Sequence, residues 1–214
     1  SLKNLNSDYN DLVQLYGPSI NDKKVFYAYE ILNKLKDEKK IKYIGISLKK
    51  PSDYLFFRKS MKFDFIQCNF NMLDHRLIKN NLLNLINKDC TNLYTRTVLN
   101  FGIFTEKFLN NNYSFSKKDH RSKWNPEQII NWRDSAIKIK ESLNNKIEDS
   151  AYRFCKSFNI SGIIIGAINI DHVKIAINSI AKKKLTNKEI LEVKMIYKIF
   201  EKKLLIKPNY KMKS

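Results

Sequence analysis

The side chains in this sequence that can do chemistry gather at the ends of short apolar runs. Tyr16 closes the run Asp11–Tyr16 just ahead of Gly17-Pro18, and Ser47 closes Lys42–Ser47. Gln67 and Asn69 end the run Phe63–Asn69, Arg96 and Thr97 end Asn92–Thr97, and Gly166 follows Gly162–Ile165. When such runs are parallel strands, their C-terminal ends are where a barrel or a doubly wound sheet places its ligand. The pattern therefore points to a small-molecule site along one rim, without naming its chemistry. Other reactive types are dispersed. His75 and His120 each stand in an Asp-His-Arg tripeptide, and no ligands converge at the spacing a metal needs. Cys68, Cys90 and Cys155 are odd in number and lack CxxC spacing, so buried thiols in a reducing cytosol are expected.

The elements that must position these residues alternate. The run ending at Tyr16 is followed by apolar positions Val25, Tyr29, Leu32 and Leu35, whose spacing predicts a helix over 23–39. After the strand ending at Ser47, Pro51 suits the first turn of a short helix reaching Ser60. Leu77, Leu82, Leu83 and Ile86 mark a third helix over 74–88. A long polar loop runs to about Lys123. Asn125-Pro126-Glu127 then opens a helix with a capping Asn, Pro at the first position and an acid in the first turn. Further helices are expected over 146–158, 171–181 and 186–203, with Gly162–Ile165 between them as a short buried strand. No domain linker or low-complexity stretch interrupts the 214 residues, so one domain is expected. Apolar strands alternating with helices predict an α/β fold with a parallel sheet.

The formal net charge of +19 raises the question of an anionic partner. Lysine far outnumbers arginine and is scattered, apart from Lys182–Lys184 and a lysine-rich tail after Lys202. Specific nucleic-acid sites favour Arg and stacked aromatics in one patch, and no such patch is visible. The charge reads as a solvated surface, with no specific nucleic acid as partner. No apolar run approaches a membrane span, and a cytoplasmic location is expected.

The strand-end motifs resemble those of the aldo-keto reductase family. Asp11-Leu-Val-Gln-Leu-Tyr-Gly-Pro18 resembles a family strand that ends in His-Gly-Pro, and Ile41-Lys-Tyr-Ile-Gly-Ile-Ser47 resembles K-I-R-Y-I-G-V-S. Phe63-Asp-Phe-Ile-Gln-Cys-Asn-Phe-Asn-Met-Leu73 is similar to F-D-x-I-Q-x-x-Y-N-x-L. Thr95-Arg-Thr-Val-Leu-Asn-Phe-Gly-Ile-Phe-Thr105 is similar to A-R-T-P-L-N-F-G-x-L-T, and Gly162–Asn169 to the last strand with its G-A-x-N turn. The resemblance implies a partial (β/α)8 TIM barrel. Strands four to eight and their helices are present, and the first three strands lie outside the sequence. It also implies NADPH-dependent reduction of a small aldehyde or ketone. Five strands cannot close an eight-stranded barrel, so about a hundred further N-terminal residues are expected, judged from a barrel of roughly 250.

By the same resemblance, Tyr16 occupies the family's catalytic His position, while the catalytic Tyr, Asp and Lys lie on the missing strands. Ser47 and Gln67 match positions that bind the nicotinamide carboxamide, with Leu48 where an Asn is usual. Arg96, Thr97, Leu99, Asn100 and Gly102 match the segment along the ribose and pyrophosphate. Gly166, Ala167, Asn169 and His172 match the adenine end. There Ile168 replaces a basic residue, and Ile175 and Ala176 replace an acid and an amide. The loop Asp119–Trp124 matches a lid or substrate wall, with Trp124 and Trp132 as packing anchors. The expectation is an NADPH-type oxidoreductase whose 214-residue chain is inactive alone, with altered or weakened cofactor binding. The alternative is a barrel without catalysis, kept as a binding or assembly module. The sequence leaves the substrate and the oligomeric state open.

Overall fold

A computed structural model describes residues 2–109 and 114–204. The tail beyond residue 204, with most of its expected lysines, lies outside the described residues, as do four positions of the loop before Lys123. The chain divides into two compact units: Ser1–Asn69 with Arg76–Arg96 and Asn159–Ile164, and Phe70–His75 with Thr97–Phe158 and Ile165–Ser214.

The first unit opens with a short helix α1 (Leu2–Leu5) and then alternates strand and helix. It runs through β1 (Asn10–Tyr16), α2 (Lys24–Asp37), β2 (Ile41–Leu48), α3 (Tyr54–Phe57), β3 (Phe65–Asn69), α4 (Leu82–Lys88) and β4 (Asn92–Arg96), and is completed by β5 (Gly162–Ile163). All neighbouring strands pair in parallel in the order β1-β2-β3-β4-β5. Sequential order with every pair parallel is the winding of a (β/α) barrel rather than of a sheet that reverses its order.

The two faces of this sheet differ sharply. Ile44, Ile46, Leu48, Ile66, Cys68, Leu93 and Thr95 are all buried to 1% exposure or less. Helix α2 packs on β1 and β2, and α4 on β4, bringing Val25, Leu32, Leu82, Leu83 and Ile86 into this core. Each such aliphatic side chain contributes roughly 1.5–3 kcal/mol on burial. Asp89 after α4 ties α3 down. It accepts from the Tyr54 hydroxyl at 2.7 Å and from Arg58 Nε and Nη2 at 2.7 and 2.8 Å. The opposite face carries Gln14, Tyr16, Ser47, Gln67, Asn69 and Arg96, with an aromatic row along it. The ring centroids of Tyr43 and Phe65 are 5.4 Å apart, and those of Phe65 and Tyr94 5.1 Å. Gly45 is required by crowding on this face, because a Cβ there would lie 2.8 Å from Gln14 Cγ.

The second unit holds α5 (Glu106–Leu109), α6 (Pro126–Leu143), α7 (Ile147–Lys156), α8 (Ile170–Ala181) and α9 (Asn187–Leu204). The expected start of α6 is present: Asn125 Oδ1 accepts from the Glu127 N–H at 2.9 Å, with Pro126 at the first helical position. A reciprocal capping box opens α9: the Thr186 N–H donates to Glu189 Oε2 at 2.7 Å and the Glu189 N–H to Thr186 Oγ1 at 3.2 Å. His75 is buried in this unit, its ring stacked on Tyr197 (3.9 Å) and Phe154 (5.4 Å). No helix among the described residues is long and apolar enough to cross a membrane.

Four local expectations change. The third helix begins at Leu82 rather than Asp74: Asn71 Oδ1 accepts from the Leu73 N–H (2.8 Å) and the Asp74 N–H donates to Asn71 O (3.1 Å), which folds 71–74 into a turn. β4 stops at Arg96 because Thr97 has φ +59°. β5 keeps only Gly162 and Ile163 of the expected buried run, since it has two register pairs to β4 and Ile164 is 38% exposed. Cys90 is exposed at φ +55°, so only Cys68 and Cys155 are buried thiols. Burial pushes the Cys155 thiol far up, which keeps it unreactive.

Candidate active site

In the first unit, strand register brings the sequence-selected residues together. Tyr16 pairs with Ser47, Ser47 with Gln67, and Asn69 with Arg96. Register partners share a face, so all five lie on the less buried face at the C-terminal end of the sheet. Ser47 is only 3% exposed, and its Oγ has no hydrogen-bond partner among the described residues. Asn69 Oδ1 and, one step deeper, Gln14 Oε1 are also buried and without a partner among the described residues. A buried hydroxyl or amide without a partner costs roughly 1–3 kcal/mol. Such atoms at strand ends can accept the hydrogen bonds of a ligand or an ordered water. Arg96 extends across the strand ends, and its Nη2 donates to Leu48 O at 3.2 Å. Tyr16, on the first strand of the sheet, is 82% exposed.

In the second unit, Thr97, Leu99, Asn100 and Gly102 form a tightly wound turn. Thr97, Asn100, Phe101 and Gly102 all have positive φ, from +43° to +89°. The Asn100 N–H donates to Thr97 O and the Gly102 N–H to Leu99 O, both at 2.8 Å, so these amides are spent within the turn. Gly102 allows a close approach as expected, but the approaching group belongs to the chain itself. Arg121 Nη1 donates to Phe101 O at 2.6 Å, and a Cβ on Gly102 would lie 2.8 Å from that nitrogen. Arg121 is in turn clamped by Asp119 (2.6 Å) and lies over the Phe115 ring. The Arg121 guanidinium holds the Asp119 carboxyl down to about 2. Phe101, Trp124 and Trp132 form a ring cluster beneath, with Trp124 and Trp132 buried. Sequence reasoning singled out the Asp119–Trp124 loop but not the reach of Arg121 to the turn; the Asp-x-Arg spacing was the available signal.

At the start of α8, Asn169 Oδ1 accepts from the His172 N–H at 3.0 Å, so Asn169 is a helix cap. Gly166 has open space around it, and Ala167 and Asn169 are exposed. Ile168 is 91% exposed and Ile175 41% exposed, whereas Ala176 is fully buried. Position 176 therefore packs inward and presents nothing to a ligand. Among the described residues no group of three His, Cys, Asp or Glu side chains converges on a metal-sized space.

Comparison with known proteins agrees with this architecture. The chain is 26% identical over 190 residues to the uncharacterized oxidoreductase YqkF of Bacillus subtilis, covering 89% of this chain and 61% of that protein. Its fold matches the holo form of the aldo-keto reductase AKR11C1 from Bacillus halodurans with a TM-score of 0.71 at 22% identity, over 91% of this chain and 63% of that one. It matches the glycerol dehydrogenase AKR11B4 from Gluconobacter oxydans with a TM-score of 0.71 at 25% identity, over 91% of this chain and 60% of that one. The chain thus spans about three-fifths of the length of these relatives. The model of the aldo/keto reductase family matches residues 1–198. Parallel strands wound in sequence, polar groups at their C-terminal ends and this family match together place the chain in the aldo/keto reductase family.

Proposed function

We propose that the complete protein is an NADPH-dependent oxidoreductase acting on a small aldehyde or ketone, with β1 to β5 as strands four to eight of a (β/α)8 barrel. The observation that carries this reading is the unpartnered Ser47 Oγ, buried at the end of β2 beside Gln67 and near the equally unpartnered Asn69 Oδ1. Neutral donors and acceptors in that arrangement fit a carboxamide and orient its ring without adding charge. When bound, NADPH supplies a hydride to the substrate carbonyl carbon. In the first unit, Ser47 and Gln67 would hold the nicotinamide, and Arg96 would lie along the adjoining ribose and phosphates. In the second, the family resemblance assigns Thr97, Leu99, Asn100 and Gly102 to the ribose and pyrophosphate, and Gly166, Ala167, Asn169 and His172 to the adenine. Tyr16, at the rim, offers its hydroxyl to the carbonyl oxygen. The remaining proton-transfer groups belong to the first three strands, so the 214-residue chain alone should not turn over.

A second reading, a barrel retained for binding without catalysis, draws on Tyr16 at the His position and on the exposed Ile168 and buried Ala176 at the adenine end. Fluorescence titration of the native gene product with NADPH and NADH separates the two. Saturable NADPH binding, weakened by Ser47→Ala, supports the reductase; absence of saturable binding by either nucleotide favours the binding module.

A further inference from the structure

The rim of the first unit carries a cation that the reductase reading leaves without a task. Lys49 directly follows β2, two residues after Ser47. Its stem lies flat along Gly17, where a Cβ would meet Lys49 Cε at 2.8 Å and Cδ and Cγ at 3.5 Å. The left-handed Gly17 (φ +56°) directly follows Tyr16, and its N–H donates to Ser47 O at 2.8 Å. This locks the end of β1 to the end of β2 and sets the lysine stem beside the exposed Tyr16. Lys49 is itself exposed and has no ion-pair partner among the described residues. Two guanidiniums hold the backbone of the same turn: Arg96 donates to Leu48 O at 3.2 Å, and Arg76 makes a long contact of 3.5 Å to Lys49 O.

We infer that this rim selects carbonyl substrates bearing an anionic group, a carboxylate or a phosphate ester, with Lys49 as the specificity-determining contact. The inference rests on the reductase reading and names its substrate class. A flexible lysine aligned along a glycine suits a point-charge contact at variable distance from the carbonyl. Glycine at position 17 is what leaves the stem room to lie along the rim.

The test compares kcat/KM of the native gene product for matched pairs: glyceraldehyde 3-phosphate against glyceraldehyde, and succinic semialdehyde against butanal. The two pairs also separate phosphate from carboxylate as the preferred group. The expected result is a preference of about tenfold or more for one anionic member, falling as ionic strength rises. It is lost in Lys49→Gln, while the neutral member is unaffected. Equal turnover of charged and neutral members, or an equal loss for both in Lys49→Gln, overturns the inference while leaving the reductase reading intact. Absence of turnover with any carbonyl means the reductase reading has failed. Titration with inorganic phosphate then decides the anion site: binding weakened about tenfold in Lys49→Gln sustains it, and identical or absent binding removes it.

Discussion

Arg121 Nη1 and the carbonyl of Phe101 are 2.6 Å apart, and this bond closes the Asp119–Trp124 loop onto a turn in which four of six residues are left-handed. Gly102 makes the approach possible, with φ +89° and no Cβ in the way of the guanidinium. Gly102→Ala should cost about 1–3 kcal/mol, because an L side chain is strained at that φ and Arg121 must also withdraw. Urea unfolding of the variant checks this. An unchanged midpoint would mean that the turn relaxes and is not held by Arg121.

The other end of the same clamp is pH-dependent. Asp119 is held down to about 2, first by its bonds from Arg121, against a smaller opposing effect of burial. Its folded value lies below the ordinary carboxylate value of about 3.9. The stability it contributes is therefore full above pH about 4 and is lost as pH falls through about 2. Asp119→Asn should lower stability at pH 6, and the gap from wild type should narrow between pH 4 and 2. Denaturation midpoints across that range test the sign; a gap that stays constant down to pH 2 places the effect elsewhere.

Ser47 separates stability from binding. Removing a buried hydroxyl that has no partner should leave stability unchanged or raise it by up to about 1 kcal/mol. The same change, Ser47→Ala, should weaken NADPH binding by the complete protein about tenfold, since the ligand amide loses its partner. A thermal melt alongside a nucleotide titration gives both readouts. Loss of stability without loss of affinity would make Ser47 a structural residue.

Ile168 is the most exposed large apolar side chain described, at 91%. Replacing it by Arg places a permanent, bidentate-capable charge where a 2′-phosphate is expected. Ile168→Arg should raise affinity for NADPH relative to NADH by about tenfold with no cost in folding. Competitive titration with the two nucleotides measures the ratio; equal effects on both would show that position 168 does not read the 2′-phosphate.

Much of this was legible before any coordinates. The apolar runs ending in Tyr16, Ser47 and Asn69 gave strands within one or two residues, because a strand with one face buried under helices carries apolar side chains at every second position, as Ile44, Ile46 and Leu48 do. What escaped was set by single polar side chains. Asn71 folds its own neighbourhood into a turn and removes the first turns of the expected helix before Leu82. β5 shrank because an apolar run predicts burial only when partners flank it, and among the described residues Gly162–Ile163 pairs with β4 alone. At the site, register among strand ends follows from the pattern, so Tyr16, Ser47 and Gln67 were found together. Arg121 and Lys49 were not singled out, since their placement depends on how a loop crosses Gly102 and how a stem lies on Gly17, and periodicity records neither.

Asn169 has one side-chain oxygen, and α8 already uses it through the His172 N–H. If a ligand at the adenine end draws on that oxygen, the helix must release it, and a lost cap costs about 0.5–2 kcal/mol. Occupancy and helix integrity are then linked with opposite sign. Nucleotide binding should speed amide hydrogen exchange at His172 and its neighbours in the first turn, where bound ligands ordinarily slow it. The adenine end would thus carry a built-in brake on affinity, set by the helix rather than by any contact with the nucleotide.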